Sequence, residues 1–361
     1  MISSLRRMAP RLVLIGLSLL LLWFALSSVS WTELRAIFLQ LNWGDLLILA
    51  LANGFVLVIF TLRWQLFLTT MGYRLAFRRL FGYRLAAFGV SYFTPGPHFG
   101  GEPLQVYLVH KRDDVPTGAA IATVTLDKLV ELLANFTFLV LGAYLILSRH
   151  LVPAEIRFQV ILYSGLLMAA PLVLLTAYWF DRHPLTWLMH QFTRIWPAAA
   201  LHRFESALHT GEDQVGDLCR QQPGTLLLAL LLSAVGWVAI VAEVWLATRV
   251  LGFNMTWLEV ISILVAARIA ILLPMPAGIG ALEASLVFAM TTLGYSAAAG
   301  ISLSLLIRAR DITLGLLGLW IGGVDVWSAI FGRTSDVSAE SQIQEELSDG
   351  ALPPQVQEAP R

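Results

Sequence analysis

The chain is dominated by apolar runs close to the ~20 residues that a helix needs to cross a bilayer. Six of them stand at about Leu12–Val29, Leu46–Leu62, Ala119–Leu147, Phe158–Phe180, Leu226–Val250 and Ile301–Val324. Composition agrees. With 57% hydrophobic residues, 13% charged residues and a mean hydropathy of +0.73 over 361 residues, one water-soluble core would struggle to hide the apolar surface. The expected fold class is therefore an all-α polytopic membrane protein. The 24 basic residues cancel 24 acidic ones, so net charge selects no partner and gives no sign of nucleic-acid binding. Cys219 is the lone cysteine, which leaves no disulfide or zinc framework, and no cofactor is expected. The first run follows Arg6, Arg7 and Arg11 and exceeds the ~7–15 apolar residues of a cleavable signal, so it reads as an uncleaved anchor.

Two further apolar regions, Leu80–Lys111 and Leu258–Gly294, are broken midway by Pro and Gly. The breaks lie in FTPGPHFGGEPLQVYLVHK (Phe93–Lys111) and LLPMPAGIGALEASLVFAM (Leu272–Met290). Arms of about 14 residues or fewer are marginal for crossing, so each region is expected to enter and turn back as a re-entrant helical hairpin. Eight full spans would put the termini on the same side as six spans and two hairpins do. The two regions resemble each other. Pro95 precedes Glu102 by seven positions and Pro276 precedes Glu283 by seven, with Gly96, Gly100 and Gly101 in one break and Gly278 and Gly280 in the other. Copies opening from opposite faces form an inverted-topology repeat, which transporters use to place a site near the midplane. The blander account is a shared small-residue composition of membrane helices.

Basic residues in the loops set the topology. Arg6, Arg7 and Arg11 put the N-terminus in the cytoplasm, and Arg63, Arg74, Arg78, Arg79 and Arg84 mark the cytoplasmic end of the second span. Both termini are expected in the cytoplasm, on the inner membrane. The membrane region is read as residues 1–332 with a cytoplasmic loop at 181–222, where Leu201, Phe204 and Leu208 share a helical face and predict a short amphipathic surface helix. Residues 333–361 read as an acidic, disordered cytoplasmic tail.

Charges inside the apolar segments are the candidate functional groups, because each costs roughly 2.5–3.5 kcal/mol at a bilayer centre. Asp127, Glu131 and Asn135 fall at i, i+4 and i+8 of the third span, with Lys128 able to reach Glu131. The sixth span carries Arg308, Arg310 and Asp311. Two compatible readings are open: a charge-pair network joining the two spans, or a pathway in which Lys128, Arg308 and Arg310 contact a phosphate-bearing headgroup. Glu102 and Glu283 stand at the first turn after each break, where capping explains a carboxylate; a proton or cation site is the sharper alternative. The Gly100–Gly101 backbone offers a cradle for phosphate. Glu243 is an isolated acid in the fifth span. Arg63 is expected to snorkel to the interface, Arg268 to pair with Glu283, and His98 to serve as a hydrogen-bonded turn residue. The sequence holds no HExxH, GxSxG or GxxxxGK[ST] motif.

PGPHFGGEPLQVYLVHK, the charged span TLDKLVELL, and PMPAGIGALE followed by LLIRARD together resemble the lysylphosphatidylglycerol synthase transmembrane, flippase-like family over nearly all of residues 10–330. The resemblance implies a bacterial or archaeal cytoplasmic-membrane protein that translocates lipid. Bifunctional members carry a soluble aminoacyltransferase domain after the membrane part and others carry glycosyltransferase domains; with about 30 polar residues after the last span, neither activity is expected here. Gln105 and Lys128 depart from the basic residues that the family pattern places there, so the relatives' substrate is not transferred. The expected function is flipping of a phospholipid or lipid-linked precursor through a polar groove between inverted halves, without enzymatic activity. Its expected partners are membrane lipids with an anionic or phosphate-containing headgroup, with a lipid-modifying enzyme or a second copy of the chain as further candidates. The alternatives are a membrane-embedded transferase using Glu102 or Asp127 as base, and a scaffold for a lipid-modifying enzyme.

Overall fold

A computed structural model of the chain describes residues 31–39, 41–93, 100–148, 154–195, 199–272 and 278–331. The first predicted span, the tail, Pro95, Gly96, His98 and Pro276 lie outside the described residues. The described residues form twelve helices and no strand: α1 Trp31–Leu39, α2 Trp43–Thr70, α3 Phe77–Phe93, α4 Glu102–Asp113, α5 Thr117–Ser148, α6 Ala154–Trp179, α7 Pro184–Ile195, α8 Ala199–Gln221, α9 Pro223–Val250, α10 Trp257–Leu272, α11 Ala281–Thr292 and α12 Ala297–Phe331. Among them α2, α5, α9 and the Ile161–Trp179 part of α6 are long and apolar enough to cross a membrane. Helix α12, the last predicted span, is 35 residues long, carries Arg308, Arg310 and Asp311, and breaks helical geometry at Gly323. This is a multi-pass helical membrane protein.

The broken regions become the pairs α3/α4 and α10/α11. The returning arms, α4 and α11, have 12 residues each. At 1.5 Å per residue each is about 18 Å long, short of the ~30 Å hydrocarbon thickness.

The helices repeat at a fixed interval. Trp43 and Pro223, Phe77 and Trp257, and Thr117 and Ala297 begin corresponding helices 180 positions apart. Helices α2 and α9 have 28 residues each, α3 and α10 have 17 and 16, and α4 and α11 have 12 each. The turns repeat too. Gly72 and Gly252 both take positive φ, 92° and 87°, just past the ends of α2 and α9. The next residue in each case donates backbone to the helix, Tyr73 to Leu68 O at 2.9 Å and Phe253 to Thr248 O at 2.8 Å. That left-handed cap satisfies carbonyls that the helix end leaves free, and it selects Gly because a β-carbon is strained there.

Each half keeps its own core: Trp64, Leu80, Leu108 and Ala120 in one, Val244, Ile263, Leu286 and Ile301 in the other. The halves meet through exchanged helices. Helix α2 packs on α9, α3 on α12, and α10 on α5. At the α3–α12 contact a β-carbon on Gly318 would overlap the backbone carbonyl of Leu85, and one on Gly89 would lie 2.5 Å from Gly315 O. Small residues are what let two backbones come this close in a membrane.

The polar loop is more ordered than one short surface helix. It folds as α7 and the 23-residue α8, and α8 packs against α5. Glu212, 2% exposed, accepts hydrogen bonds from the backbone of Leu185 and Thr186, both at 2.8 Å, and from the Tyr178 hydroxyl at 3.0 Å. Its carboxylate therefore sits at the N-terminus of α7, where free N–H groups and the helix dipole favour it. Burial of Cys219 in the same contact pushes its thiol up to about 11, against a smaller opposing pull from Arg220.

Two outcomes follow from this packing. Gly318→Val is expected to destabilise the bundle by about 1–3 kcal/mol, whereas Gly54→Ala, with nothing within 4 Å of the added carbon, leaves stability unchanged or slightly higher; thermal melting in detergent, followed by size-exclusion chromatography, compares them. Maleimide labelling of Cys219 at pH 7.5 is expected to be at least about tenfold slower in the folded protein than after unfolding, because the thiolate is the reacting species.

Candidate functional site

A cavity of about 380 Å³ lies between the halves, lined from α2, α3, α4 and α5 on one side and from α9, α10 and α12 on the other, together with the break residues Gly101 and Gly278. It gathers most of the charges singled out above: Glu102, Asp127, Lys128, Glu131, Glu243, Arg308, Arg310 and Asp311. Asn135 completes the predicted stripe along α5. Glu283 does not line the cavity but holds a residue that does.

The charges are paired within each half. In the first half Arg63 of α2 donates to Asp127 of α5 at 2.7 Å and to Ser233 of α9 at 3.0 Å, and lies 3.5 Å from Glu131. Arg84 of α3 pairs with the other oxygen of Asp127. Lys128 bridges Glu102 at 3.0 Å and Glu131 at 3.1 Å. In the second half Arg308 donates Nε to Glu283 at 2.9 Å and Nη2 to the Gly278 carbonyl at 2.8 Å. Arg310 pairs with Glu243 at 2.5 Å and with Asp311 at 2.8 Å, and Asn53 of α2 donates to Glu243 at 3.2 Å.

Both acids after the breaks turn out to cap and to pair at once. Glu102 accepts the N–H of Gly100 at 2.9 Å, and Glu283 accepts that of Gly280 at 2.8 Å. Each carboxylate thereby ties a broken turn to a cation on the long helix that follows, Lys128 or Arg308, which stand 180 positions apart. A second pair of equivalent positions, Arg63 and Glu243, does the same job with opposite charge, each reaching the last helix of its own half.

Several expectations are corrected. Arg63 does not snorkel: it is 0% exposed, because α2 runs on to Thr70 and leaves the guanidinium seven residues, about 10 Å, inside the helix. Arg268 is not the partner of Glu283; Arg308 is, and Arg268 lies over the Trp237 ring, 5.0 Å from its centroid. The third and sixth spans are not ion-paired to each other among the described residues; each pairs inside its own half. The Gly100–Gly101 backbone is already committed, Gly100 N–H to Glu102 and Gly101 N–H to Ser91 Oγ at 2.8 Å. Arg84, Asn53 and Ser233 enter the site without having been singled out for it. Arg84 stood in the apolar arm of a broken region and was read only as a topology marker. The equivalence of positions 63 and 243 was a signal available in the sequence.

A second cavity, about 620 Å³, is bordered by Arg78, Arg79, Arg112 and Tyr83. Asp113 accepts from Arg79 and, at 2.8 Å, from the Tyr83 hydroxyl. Arg78 and Arg79 belong to the basic stretch read above as a topology signal. On α7 and α8, Asp213 takes hydrogen-bond contacts from His183 at 2.7 Å and His209 at 3.1 Å. The two rings stack at 4.3 Å and 13°, and the ligand atoms of His183, His209 and Asp213 lie within 4.8 Å of one another.

A helical membrane protein with a charge-lined cavity between two similar halves is the class that fold and site define. The chain belongs to the family described as the lysylphosphatidylglycerol synthase TM region, whose model matches residues 11–318. It is similar to a UPF0104 membrane protein of Methanothermobacter thermautotrophicus, 24% identical over 254 residues, covering 67% of this chain and 73% of that protein. It is also similar to a UPF0104 membrane protein of Methanocaldococcus jannaschii, 28% identical over 93 residues, covering 25% of this chain and 28% of the other. No solved structure gives a significant match. Membership places the protein in lipid metabolism or transport.

Arg63→Gln is expected to cost about 3–5 kcal/mol, because it leaves the buried Asp127 charge under-compensated, with part of the loss regained in the Arg63→Gln/Asp127→Asn double variant. Arg220→Gln, whose partners Asp181 and Asp217 are exposed, is expected to cost less than about 1 kcal/mol. Unfolding of the four proteins in mixed micelles measures the difference.

Proposed function

We propose that the protein moves the polar headgroup of a lipid across the cytoplasmic membrane through the cavity between its halves, while the hydrocarbon chains stay in the bilayer. The observation that carries this reading is a cavity in which ion pairs from both halves face one shared space, among helices long and apolar enough to cross a membrane. Charges kept in that position are otherwise costly, and in membrane proteins they mark substrate pathways. At about 380 Å³ the space is near the lower end of small-molecule sites, suited to a headgroup and too small for acyl chains as well.

The repeat supports the same reading. Between the start of α2 and the start of α9 the chain crosses three times if α3/α4 is a hairpin and five times if both arms cross. Either count is odd, so on this reading the second half is inverted relative to the first, the arrangement of alternating-access transporters. On the topology set by the basic loops both termini are cytoplasmic.

On this reading Glu102 serves as the partner of Lys128, and Asp127 as the partner of Arg63 and Arg84, rather than as general bases. Partner proteins, including a lipid-modifying enzyme, belong to this proposal only as donors or acceptors of the lipid.

Reconstituted proteoliposomes carrying headgroup-labelled lipids test the idea. Protein-dependent translocation is expected, reduced at least about tenfold by Glu102→Gln and by Arg308→Ala at matched insertion, since each breaks an ion pair that includes a cavity-lining residue. Movement no faster than in empty vesicles, with folded protein confirmed and anionic, zwitterionic and polyprenyl-linked probes all tried, would rule it out.

A further inference from the structure

Of the six cations around the cavity, five have a carboxylate partner: Arg63, Arg84, Lys128, Arg308 and Arg310. Arg268 of α10 has no ion pair or hydrogen bond to any described residue, yet it lines the cavity at a half-buried position. Its guanidinium lies over Trp237 of α9, 5.0 Å from the ring centroid. Trp237 in turn stacks on Phe138 of α5 at 4.2 Å and 17°. The aromatic pair is a platform that fixes the guanidinium by cation–π attraction and satisfies none of its N–H donors.

We infer that Arg268, held on the Trp237–Phe138 platform, is the docking point for a phosphate group of the transported lipid, an inference that rests on the transport reading for its lipid. A guanidinium donates paired N–H bonds in a rigid planar fork, which matches two oxygens of one phosphate. Each of the other cations already holds a carboxylate at ion-pair distance, so a phosphate there would face that negative charge, even where Arg63 Nη2 and Arg84 Nε lack a hydrogen-bond partner. Arg268 holds none. The carboxylates of Glu131 and Glu243 border the same cavity, so the anion that fits is a localised one seated on Arg268 rather than a diffuse negative charge spread across the space.

The test is direct binding to the purified full chain in detergent micelles, using dihexanoyl phosphatidylglycerol, dihexanoylglycerol as the same chains without phosphate, and inorganic phosphate alone. The phospholipid is expected to bind at least tenfold more tightly than dihexanoylglycerol, and Arg268→Gln to remove at least tenfold of that affinity. Arg268→Lys, which keeps the charge and loses the fork, should fall between, and Arg74→Gln should match the wild type. Inorganic phosphate binding as tightly as the lipid, with the same dependence on Arg268, would assign the site to free phosphate instead. Equal affinity of Arg268→Gln and wild type for the phospholipid, or equal affinity of the wild type for both lipids, overturns the inference. Should Arg268→Gln fail to fold, Trp237→Leu decides: removing the platform is expected to weaken phospholipid binding at least threefold, and unchanged binding counts against the site. Arg268-dependent binding without translocation in proteoliposomes would leave this site standing while the transport reading fell; translocation without Arg268-dependent binding would do the reverse.

Discussion

A charge in hydrocarbon must find a counter-charge or a wet surface, and nearly every polar feature of this protein follows from that constraint. Arg63, buried two turns inside α2, meets Asp127 on α5; Glu243, equally deep on α9, meets Arg310 on α12. Each contact fastens the first helix of a half to its last, across the broken region between them. Glu102 and Glu283 extend the fastening to the breaks, where one carboxylate serves both the open N–H groups of the turn and a cation on the following helix. Ion pairs therefore link the helices within each half, where lipid and side chain are equally oily and apolar packing discriminates little.

Between halves the logic changes. The contacts there are close helix approaches, Gly89 near Gly315 and Gly318 against the Leu85 backbone, with few ion pairs to break. Arg63 to Ser233, Asn53 to Glu243 and the Thr70–Thr225 hydroxyl contact are polar links across the α2–α9 seam. The cavity lies on the seam between the halves, as the proposed transport requires.

Much of this was legible in the sequence. Long apolar runs gave the spanning helices, and Pro95, Pro276 and the glycines marked where two apolar regions would break. The stripe of Asp127, Glu131 and Asn135 follows from helical spacing and faces the cavity as that spacing requires. The failures share one cause. Hydropathy ended the second span at Leu62 because Arg63 is charged, although the helix continues to Thr70; Arg84, in an apolar arm, was assigned to topology for the same reason. A window that treats charge as an edge cannot see a charge that is buried because it is paired. The 181–222 region was under-read in a similar way, since Glu212 looks like surface charge until the N-terminus of α7 is placed over it.

The sequence alone determined that this is a helical membrane protein with two similar broken regions and several charges at membrane depth, because those properties depend on length, periodicity and spacing along one chain. Which cation meets which carboxylate was decided only by the tertiary structure. Arg308 rather than Arg268 reaches Glu283, and the N–H groups that might have cradled an anion are taken by Glu102 and Ser91. Coulomb attraction falls with distance in space and is indifferent to distance along the chain. Partners 64 or 67 positions apart, as Arg63 and Asp127 or Glu243 and Arg310 are, become partners only once packing has brought their helices together.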